Sequence, residues 1–407
     1  MRYVFLFLVC SFSVSAQLKG TISDSEHQPI PYVNIYIENS YTGTTSNEQG
    51  DYELALPQPG TYTIVFQFLG FKTQTKTIKI DRFPHRLNIQ LEEEIISLNE
   101  VVVNANENPA NRIIKASIAA RKSHLEAINS YAADFYSKGL IRIKNAPEKF
   151  MGQEVEFDVE LDSTRSGIIY LSETISKIKY QKPDKLSEKI IASKVSGDSN
   201  GFSFNNASDV DYNFYMNTIG VVNSEIVSPI ATYAFNYYRY KLEGVFYDNR
   251  GNLIHKIQVI PRRENDRVFS GIIYIVEDQW SIYGLELQVT GSQIQTPAAD
   301  LVTIKQNLSY DEKTDFWLVR SQTIGFEYKI LGFEGDGNFV ANYSNYELNT
   351  NFDETVFTNE VLAFAPEANK KDSTYWNTLR PVPLTREEFT DYIKKDSIQT
   401  LKKSKIY

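Results

Sequence analysis

The stretch LNEVVVNA at residues 98–105 separates two differently patterned regions of this chain. Its three consecutive valines, at 101–103, are β-branched and favour extended backbone, so the pattern predicts a stiff strand rather than a flexible tether. Upstream lie short alternating segments punctuated by glycine. Downstream follow one helical pattern, a larger β-rich region and a charged tail. The stretch therefore predicts a joint between two β-rich units.

The region before the joint has the pattern of short strands and tight turns. Gly43 and Gly50 lie between alternating segments, where a tight turn favours glycine. Alternation of apolar and polar residues predicts half-buried strands at 18–22, 32–37, 52–56, 61–68 and 73–80. Strands this short, at such regular spacing, predict a β-sandwich.

Spaced signature residues in this region resemble those of a known domain family. They lie in GTISD at 20–24, PIPYVNI at 29–35 and GTTSNEQGDY at 43–52. The turn positions of the signature are Gly20, Asp24, Pro31, Gly43, Gly50 and Tyr52. In order and spacing these segments resemble the carboxypeptidase-regulatory-like (transthyretin-like) β-sandwich. The resemblance implies a non-catalytic module that serves folding or docking, often at the N-terminus of Gram-negative outer-membrane proteins.

Residues 1–16 predict a secretory signal peptide. Arg2 is followed by an apolar core and by small residues before Gln17, as signal cleavage requires. The single cysteine, Cys10, lies inside this segment, so the exported chain is predicted to contain no disulfide and no thiolate nucleophile or metal ligand. A net charge of -9 disfavours nucleic-acid binding. The predicted location is the periplasm or the outer membrane.

Downstream of the joint, Asn108 and Pro109 begin a helical pattern, because asparagine caps a helix and proline fits its first turn. The stretch at 98–103 resembles the start of a TonB-dependent receptor plug, but the Arg-Gly-centred turn of such a plug does not follow. The helix, YSKGL at 136–140 and RPVPLT at 380–385 instead resemble an uncharacterised bacterial envelope family in which this sandwich precedes a domain of unknown function.

In that family an outer-membrane barrel usually follows. The resemblance therefore implies envelope proteins or such a barrel as partners. This chain stops at Tyr407, about where the barrel would begin, and two expectations follow: a fragment, or a shortened member of the family.

The middle of the chain, about 131–346, has the pattern of an antiparallel meander, with strands predicted at 253–260, 269–276, 282–290, 301–310 and 316–326. Helical spacing at 206–215 and 228–238 predicts a helical insert. A curved sheet with a helix against one face fits this order and resembles periplasmic lipoprotein carriers, which hold acyl chains. The predicted organisation is signal peptide 1–16, β-sandwich 17–92, linker strand and helix 93–128, α+β curved-sheet domain 129–350 and charged helical tail 351–407.

Five lysines gather near the end of the tail, which has a helical pattern from 386 to 405. They are Lys394, Lys395, Lys402, Lys403 and Lys405. Cations complement a helix C-terminus, which predicts a solvated face. The alternative is a basic collar near anionic lipid headgroups.

An acidic stretch, EVEFDVELD at 154–162, is the most unusual local pattern. With a side-chain period of two, one strand face would carry Glu154, Glu156, Asp158, Glu160 and Asp162. Cross-strand pairs with Arg142 and Lys144, or with Lys177 and Lys179, would fix the register. The pattern predicts a solvated face, with a cation or partner surface as the alternative.

Catalytic motifs are weak in this sequence. None of its four histidines, His27, His85, His124 and His255, has an acidic residue three positions later, as a zinc peptidase needs. GDSNG at 197–201 matches the nucleophile-elbow spelling around Ser199, but it lacks the apolar strand and the helix that flank such a serine. Gly332, Gly335 and Gly337 lack the lysine of a phosphate-binding loop and predict a turn between strands.

The sequence thus predicts a mainly β, exported protein without an enzyme site, metal or cofactor. The primary hypothesis is a non-enzymatic binding or assembly protein of the Gram-negative outer membrane or periplasm. The alternatives are a periplasmic lipid or lipoprotein carrier, with lipid as its ligand, a TonB-dependent-receptor-like transport component, and a hydrolase at Ser199.

Overall fold

A computed structural model of the 407-residue chain describes residues 17–97, 108–155, 157, 161–198, 201–203, 205–358 and 360–404. The predicted signal peptide at 1–16 and the predicted linking strand at 98–103 lie outside the described residues.

The N-terminal unit consists of two four-stranded sheets around one apolar core. Its strands are β1 (Gln17–Ser23), β2 (Asn34–Ile37), β3 (Gly43–Thr45), β4 (Asp51–Ala55), β5 (Gly60–Gln67), β6 (Gln74–Ile80), β7 (His85–Arg86) and β8 (Ile89–Gln90). One sheet joins β4, β1 and β7, with β8 also paired to β1, and the other has the order β3-β2-β5-β6. Leu18 of the first sheet and Ile35 and Phe66 of the second are 0% exposed. The predicted β-sandwich is confirmed.

Of the six predicted turn positions, three lie in loops or turns, Asp24, Pro31 and Gly50, whereas Gly20, Gly43 and Tyr52 lie in strands β1, β3 and β4. The structure shows what several of these residues contact. Asp24 Oδ1 accepts hydrogen bonds from the backbone N–H groups of Glu26 and Gln28, at 2.9 and 2.8 Å. Gly50 has φ +76°, a left-handed conformation that glycine adopts without strain. The Tyr52 hydroxyl donates to the backbone oxygen of Leu87 at 2.8 Å. These contacts give each of the three residues a structural role in the sandwich.

Gly20 is the signature position with the least free space. A Cβ atom there would lie 1.8 Å from the backbone oxygen of Leu87, next to the strand that pairs with β1. We expect Gly20→Ala to lower the free energy of unfolding by about 1–3 kcal/mol, the usual cost of overpacking. The matched control is Gly60→Ala, whose Cβ would meet nothing nearer than Tyr62 at 3.6 Å. Urea denaturation of both variants checks this, and equal effects would contradict it.

Helix α1 (Pro109–Glu126) follows the sandwich. Asn108 caps it as predicted, since Oδ1 of its side chain accepts from the backbone N–H of Ala110 at 3.0 Å. Its Nδ2 donates to the backbone oxygen of Tyr240 at 2.8 Å, which ties the helix start to the large sheet. Ile113 and Ile114 are 0% exposed and belong to the core of that sheet.

The remaining elements follow in chain order. They are β9 (Ser130–Lys144), β10 (Lys149–Phe150), β11 (Gln153–Glu154), β12 (Gly167–Gln181), β13 (Lys185–Val195), β14 (Thr218–Val221), β15 (Ser224–Val227), β16 (Tyr238–Tyr247), β17 (Leu253–Pro261), β18 (Ser270–Val276), β19 (Ile282–Thr290), β20 (Ala299–Asp311), β21 (Phe316–Ile330), β22 (Phe333–Leu348), β23 (Leu362–Phe364), α2 (Ser373–Leu379) and α3 (Arg386–Ser404).

Eleven of the described strands form one sheet, in the order β16-β17-β18-β19-β20-β21-β22-β9-β12-β13-β23. Neighbours pair antiparallel, except that β23 runs parallel to β13. The chain enters at β9, extends the sheet to β13, and then returns from the far edge at β16 until β22 closes beside β9. The mainly β fold class is confirmed, and the strands predicted at 253–260, 282–290 and 316–326 lie within β17, β19 and β21.

The insert between β13 and β16 differs from its prediction in detail. Where helical spacing occurs, the structure has only short 3-10 turns, at Ala207–Val210 and Ala234–Asn236, together with the hairpin of β14 and β15. Short polar side chains compete with a helix for backbone groups here. The Ser228 hydroxyl, for example, donates to the backbone oxygen of Phe214 at 2.7 Å. The apolar residues still face the core, but from turns rather than from helical faces.

The sandwich packs on the large sheet through polar and aromatic contacts. Arg142 Nη2 of β9 lies 2.7 Å from Glu48 Oε2 of the sandwich. Arg320 is the extra residue of a bulge in β21, and its Nη2 donates to the backbone oxygen of Ser40 at 2.8 Å. The same guanidinium lies 4.7 Å from the centre of the Tyr36 ring. These contacts join the two β units directly.

The tail beyond β22 contains α2 and α3, and the helix predicted at 386–405 is observed as α3. In the described parts of the chain, none of the helices combines the length and the apolar character needed to cross a membrane.

Candidate functional site

A cavity of about 420 Å³ lies between one face of the large sheet, the C-terminal end of α1 and the insert. Its volume falls within the roughly 300–1,000 Å³ of small-molecule sites. Apolar and aromatic side chains from all three elements form much of the wall, among them Leu125, Ile128, Phe214, Leu308, Phe316 and Trp317. Such walls favour the apolar part of a ligand.

Four tyrosines of the cavity wall form a group that we call the tyrosine cluster: Tyr131, Tyr180, Tyr343 and Tyr346. Tyr131 stacks on Tyr180 with ring centres 5.3 Å apart and meets Tyr346 edge-on at 5.6 Å. Tyr343 and Tyr346 are 8% and 7% exposed. Burial raises the pKa of all four phenols, so they remain neutral.

Asp211 of the insert contributes a carboxylate to the same wall. Solvent reaches this side chain, but the cavity walls withdraw it from bulk water, and this burial raises its pKa. No hydrogen bond or ion pair joins its carboxylate to another described residue. After burial, its negative charge is the next largest influence that raises the pKa of Tyr131, and it acts on the other three tyrosines of the cluster too. Asp211 and the tyrosine cluster line the same cavity.

Two glutamines of the sheet hold the insert on either side of Asp211. Gln322 Nε2 donates to the backbone oxygen of Val210 at 2.8 Å. Gln306 Nε2 donates to the backbone oxygen of Tyr212 at 2.7 Å. Because both residues that flank Asp211 are tied to the sheet, the backbone at Asp211 is held at the cavity wall.

The electrostatic character of the cavity is negative. Asp184, in the turn between β12 and β13, is a second carboxylate of the wall. His124 also lines it, but burial lowers the pKa of this imidazole and so favours its neutral form, and its Nε2 lies 3.0 Å from the backbone oxygen of Gln279. Among the described residues that line the cavity there is neither lysine nor arginine.

The predicted acidic face is not seen at its two described ends. Glu154 lies in the two-residue strand β11. Asp162 lies in a turn, where its Oδ1 accepts from the backbone N–H groups of Thr164 and Ser166 at 2.8 and 2.9 Å. These turn contacts, led by the Thr164 side chain, lower the pKa of Asp162. Three of the predicted residues lie outside the described part of the chain: Glu156, Asp158 and Glu160.

The basic residues that were predicted to pair with this face have other partners in the structure. Arg142 contacts Glu48, as described above, and Lys144 Nζ lies 2.6 Å from Asp336. Lys177 Nζ lies 2.7 Å from Asp134, and Lys179 Nζ lies 5.6 Å from the centre of the Phe352 ring. The prediction paired them by sequence proximity, whereas the sheet order brings other carboxylates beside β9 and β12.

The remaining motif residues are scattered. Ser199 lies outside the described residues. His27 lies in a turn, His85 in β7 and His124 in the cavity wall, while His255 pairs with Glu277. Within the residues that the structure describes, no three histidine, cysteine, aspartate or glutamate side chains are grouped as a metal site requires. Gly332 forms the turn between β21 and β22, as predicted, whereas Gly335 and Gly337, predicted in the same turn, lie in β22.

A buried charged group joins the tail to the sheet, and sequence reasoning missed it. We call it the tail clasp: Lys138, Glu173, Arg380, Thr385 and Glu388. Lys138 Nζ lies 2.8 Å from Glu388, with side chains 2% and 0% exposed. Arg380 bonds both oxygens of Glu173, at 2.5 and 2.8 Å. Thr385 and Glu388 cap α3 reciprocally, and this Thr-x-x-Glu spacing was the available signal.

The lysines of the tail are not all solvated. Lys395 is 8% exposed, and its Nζ lies 2.8 Å from Asp391 and 2.9 Å from the backbone oxygen of Ile168. The prediction of a solvated face is therefore wrong for this residue, since its side chain packs against the sheet. Lys394 is exposed. The side chains of Lys402, Lys403 and Lys405 lie outside the described part of the chain.

Two known protein families match different parts of this chain. The model of the family of unknown function DUF5686 matches residues 113–346. The model of the CarboxypepD_reg-like domain matches residues 18–103.

Two curated relatives are TonB-dependent receptors of Formosa agariphila. Receptor P39 is 31% identical over 108 residues, which are 25% of this chain and 10% of that protein. Receptor P3 is 30% identical over 125 residues, which are 30% of this chain and 12% of that protein. The chain thus spans only about a tenth of the length of these relatives. The matches support an envelope context.

Solved structures with similarity include a LolA superfamily protein from Nitrosomonas europaea. It is 11% identical, with a TM-score of 0.23, over 62% of this chain and 98% of that chain. A putative outer membrane lipoprotein-sorting protein domain from Vibrio parahaemolyticus is 12% identical, with a TM-score of 0.24, over 61% of this chain and 98% of that one.

Proposed function

Because this chain belongs to the family of unknown function DUF5686, with a carboxypeptidase-regulatory-like sandwich ahead of the family's domain, we propose that it is a non-enzymatic binding protein of the Gram-negative outer membrane or periplasm. The cavity beside the insert is its ligand site. The sandwich serves assembly with other envelope proteins, an outer-membrane barrel among them.

The observation that carries this proposal is the 420 Å³ cavity with largely apolar walls. An alkyl chain of about 14 methylenes gains roughly 11 kcal/mol on leaving water, before the cost of ordering it. Apolar walls alone therefore suffice for tight binding, and no reactive group is needed. The cavity favours the carrier form of this function, in which a ligand with an alkyl chain is bound and released.

A substitution that fills the cavity tests this function. Val319 lines the wall and is partly buried, so Val319→Trp places a large ring in the space that a ligand would occupy. We expect the wild-type protein to enhance the fluorescence of the neutral probe N-phenyl-1-naphthylamine, and the variant to weaken its binding about tenfold or more, a loss of roughly 1.4 kcal/mol.

The matched control is Val361→Trp, at a side chain 43% exposed ahead of β23. This control should bind the probe as the wild-type protein does. Circular dichroism and urea denaturation establish that both variants are folded. Equal binding by the wild-type protein and a folded Val319→Trp variant, or no binding by the wild-type protein, would refute the cavity as the ligand site.

A further inference from the structure

Resting on the proposed function, we infer that the cavity takes a single-chain amphiphile with a positively charged head, whose charge lies between Asp211 and the tyrosine cluster. Nothing in the comparisons assigns a ligand of this kind. Three features of the wall support the inference: its charge, its aromatic faces and its apolar residues.

The charge of the wall selects against anions. Asp184 and Asp211 are its acidic residues, and the described wall offers no lysine or arginine to balance them. An anionic amphiphile, such as a fatty acid or a phosphorylated lipid, would bring a further negative charge toward these carboxylates, with no basic residue in the described wall to offset the repulsion. A cation supplies the partner that Asp211 lacks among the described residues.

The aromatic faces favour the same charge. A cation within about 6 Å of a tyrosine ring centre is attracted by the ring's quadrupole, and the attraction grows when water is excluded. Tyr131, Tyr180 and Tyr346 bring three rings together, with centres 5.3 and 5.6 Å from that of Tyr131. Asp211 lines the same cavity as these rings, so a cation bound there can meet both the carboxylate and the ring faces.

A second set of wall residues suits an alkyl chain. Phe214, Leu308 and Trp317 are 2%, 4% and 3% exposed and belong to the main apolar core. Trp317 is fixed, because its Nε1 donates to Gln279 Oε1 at 2.7 Å. A volume of about 420 Å³ lies toward the lower end of the range for ligand sites, which suits one chain rather than a two-chain lipid.

Bare metal cations fit this wall less well. Calcium takes roughly six to eight oxygen ligands and magnesium about six. The wall offers Asp211 and the separate Asp184, with no third acidic side chain grouped near them in the described chain. An organic ammonium needs only one carboxylate and the ring faces, which the wall has.

Isothermal titration calorimetry with two probes of similar shape tests the inference. Dodecyltrimethylammonium is a cation, whereas dodecyldimethylamine N-oxide at pH 8 is neutral overall. Both are used below their micelle concentrations with the full chain as exported. We expect one cation per protein and an affinity about tenfold higher than that of the N-oxide, as one carboxylate with ring faces supplies.

Two pairs of variants locate the charge preference. Asp211→Asn should abolish it, whereas Asp81→Asn, at an exposed sandwich residue paired with Lys79, should preserve it and control for net charge. Tyr131→Leu should weaken cation binding, while Tyr131→Phe, which keeps the ring, should not. Urea denaturation establishes that each variant is folded.

The outcomes separate the two proposals. If both probes bind equally, or if a folded Asp211→Asn variant retains the preference, the cationic head is refuted while ligand binding in the cavity stands. If neither probe binds, the proposed function itself fails. Tighter binding of dodecyl sulfate than of the cation would also overturn the inference.

Discussion

Replacing Lys138 with methionine is expected to lower the free energy of unfolding by about 3–5 kcal/mol, because the change leaves a carboxylate buried without a counter-charge. Lys138 Nζ lies 2.8 Å from Glu388 Oε1 and 2.9 Å from Oε2. The two side chains are 2% and 0% exposed. Glu388 also accepts from the backbone N–H of Thr385 at 2.8 Å, so it cannot turn toward solvent without breaking the cap of α3.

Urea denaturation at pH 7 measures this loss, and limited proteolysis shows whether the tail is released first. The matched control is Lys177→Met, since Lys177 also pairs with a carboxylate at 2.7 Å but is 65% exposed. Exposed pairs contribute about 0–1 kcal/mol, so the control should differ little from the wild-type protein. Equal effects of the two substitutions would show that the buried pair is not held as described.

A double variant separates the pair from its isolated charges. Lys138→Met combined with Glu388→Met removes both charges, and apolar replacement of a whole buried pair is often nearly neutral. Loss of the Glu388 half of the cap should still cost about 1 kcal/mol. We therefore expect the double variant to be more stable than Lys138→Met alone.

Much of the fold could be predicted because alternation is a local property. The strands predicted at 282–290 and 253–260 coincide with β19 and with all but one residue of β17, since buried apolar residues alternate with more exposed polar ones along the second half of β19 and the middle of β17. The sandwich followed from glycine turns such as Gly50, whose φ of +76° demands that residue type. The structure of the insert was harder to predict, because hydroxyl and amide side chains, the Ser228 hydroxyl among them, form hydrogen bonds with backbone groups that a helix would otherwise use.

The cavity has no comparable linear signal. Tyr131 begins β9, Tyr180 ends β12, Asp211 follows a 3-10 turn and Tyr346 lies near the end of β22. They meet because β9 pairs with both β12 and β22, which places the ends of these strands side by side. No spacing in the chain encodes that order. The acidic stretch at 154–162 has a regular local pattern, whereas Asp211 is one aspartate in an irregular segment of the cavity wall.

The tail clasp could not be predicted from the sequence either, although the motif RPVPLT at 380–385 contributed to the family resemblance. The sequence shows Arg380 as a charged residue in a proline-rich segment. Only the fold reveals that its guanidinium reaches Glu173 of β12, which is 0% exposed. The motif therefore joins the tail to the large sheet. The Thr44 hydroxyl of the sandwich also donates to the backbone oxygen of Pro381, so the same motif contacts the sandwich.

Replacing Arg380 with methionine is expected to cost about 3–5 kcal/mol of unfolding free energy at pH 7, and the cost should shrink as the pH is lowered from neutral through the usual carboxyl pKa of 4.5. Burial alone would raise the pKa of the Glu173 carboxyl, but the Arg380 guanidinium and the Tyr136 hydroxyl outweigh it and hold that pKa below its usual value of 4.5. A carboxyl whose pKa is lower in the folded state contributes stability above its unfolded pKa, and the contribution disappears as the pH falls through the folded value. Wild-type protein therefore loses this contribution in acid. In the variant, Glu173 lacks its cation, so its pKa rises and protonation relieves the buried charge.

Urea denaturation at pH 7, 5 and 3.5 measures the difference between the two proteins. The matched control is Arg250→Met, because Arg250 lies 2.7 Å from Glu312 in a pair whose side chains are 37% and 54% exposed, and it should cost about 0–1 kcal/mol. A loss for Arg380→Met that stays constant from pH 7 to 3.5 would mean that Glu173 is not the charge that Arg380 compensates.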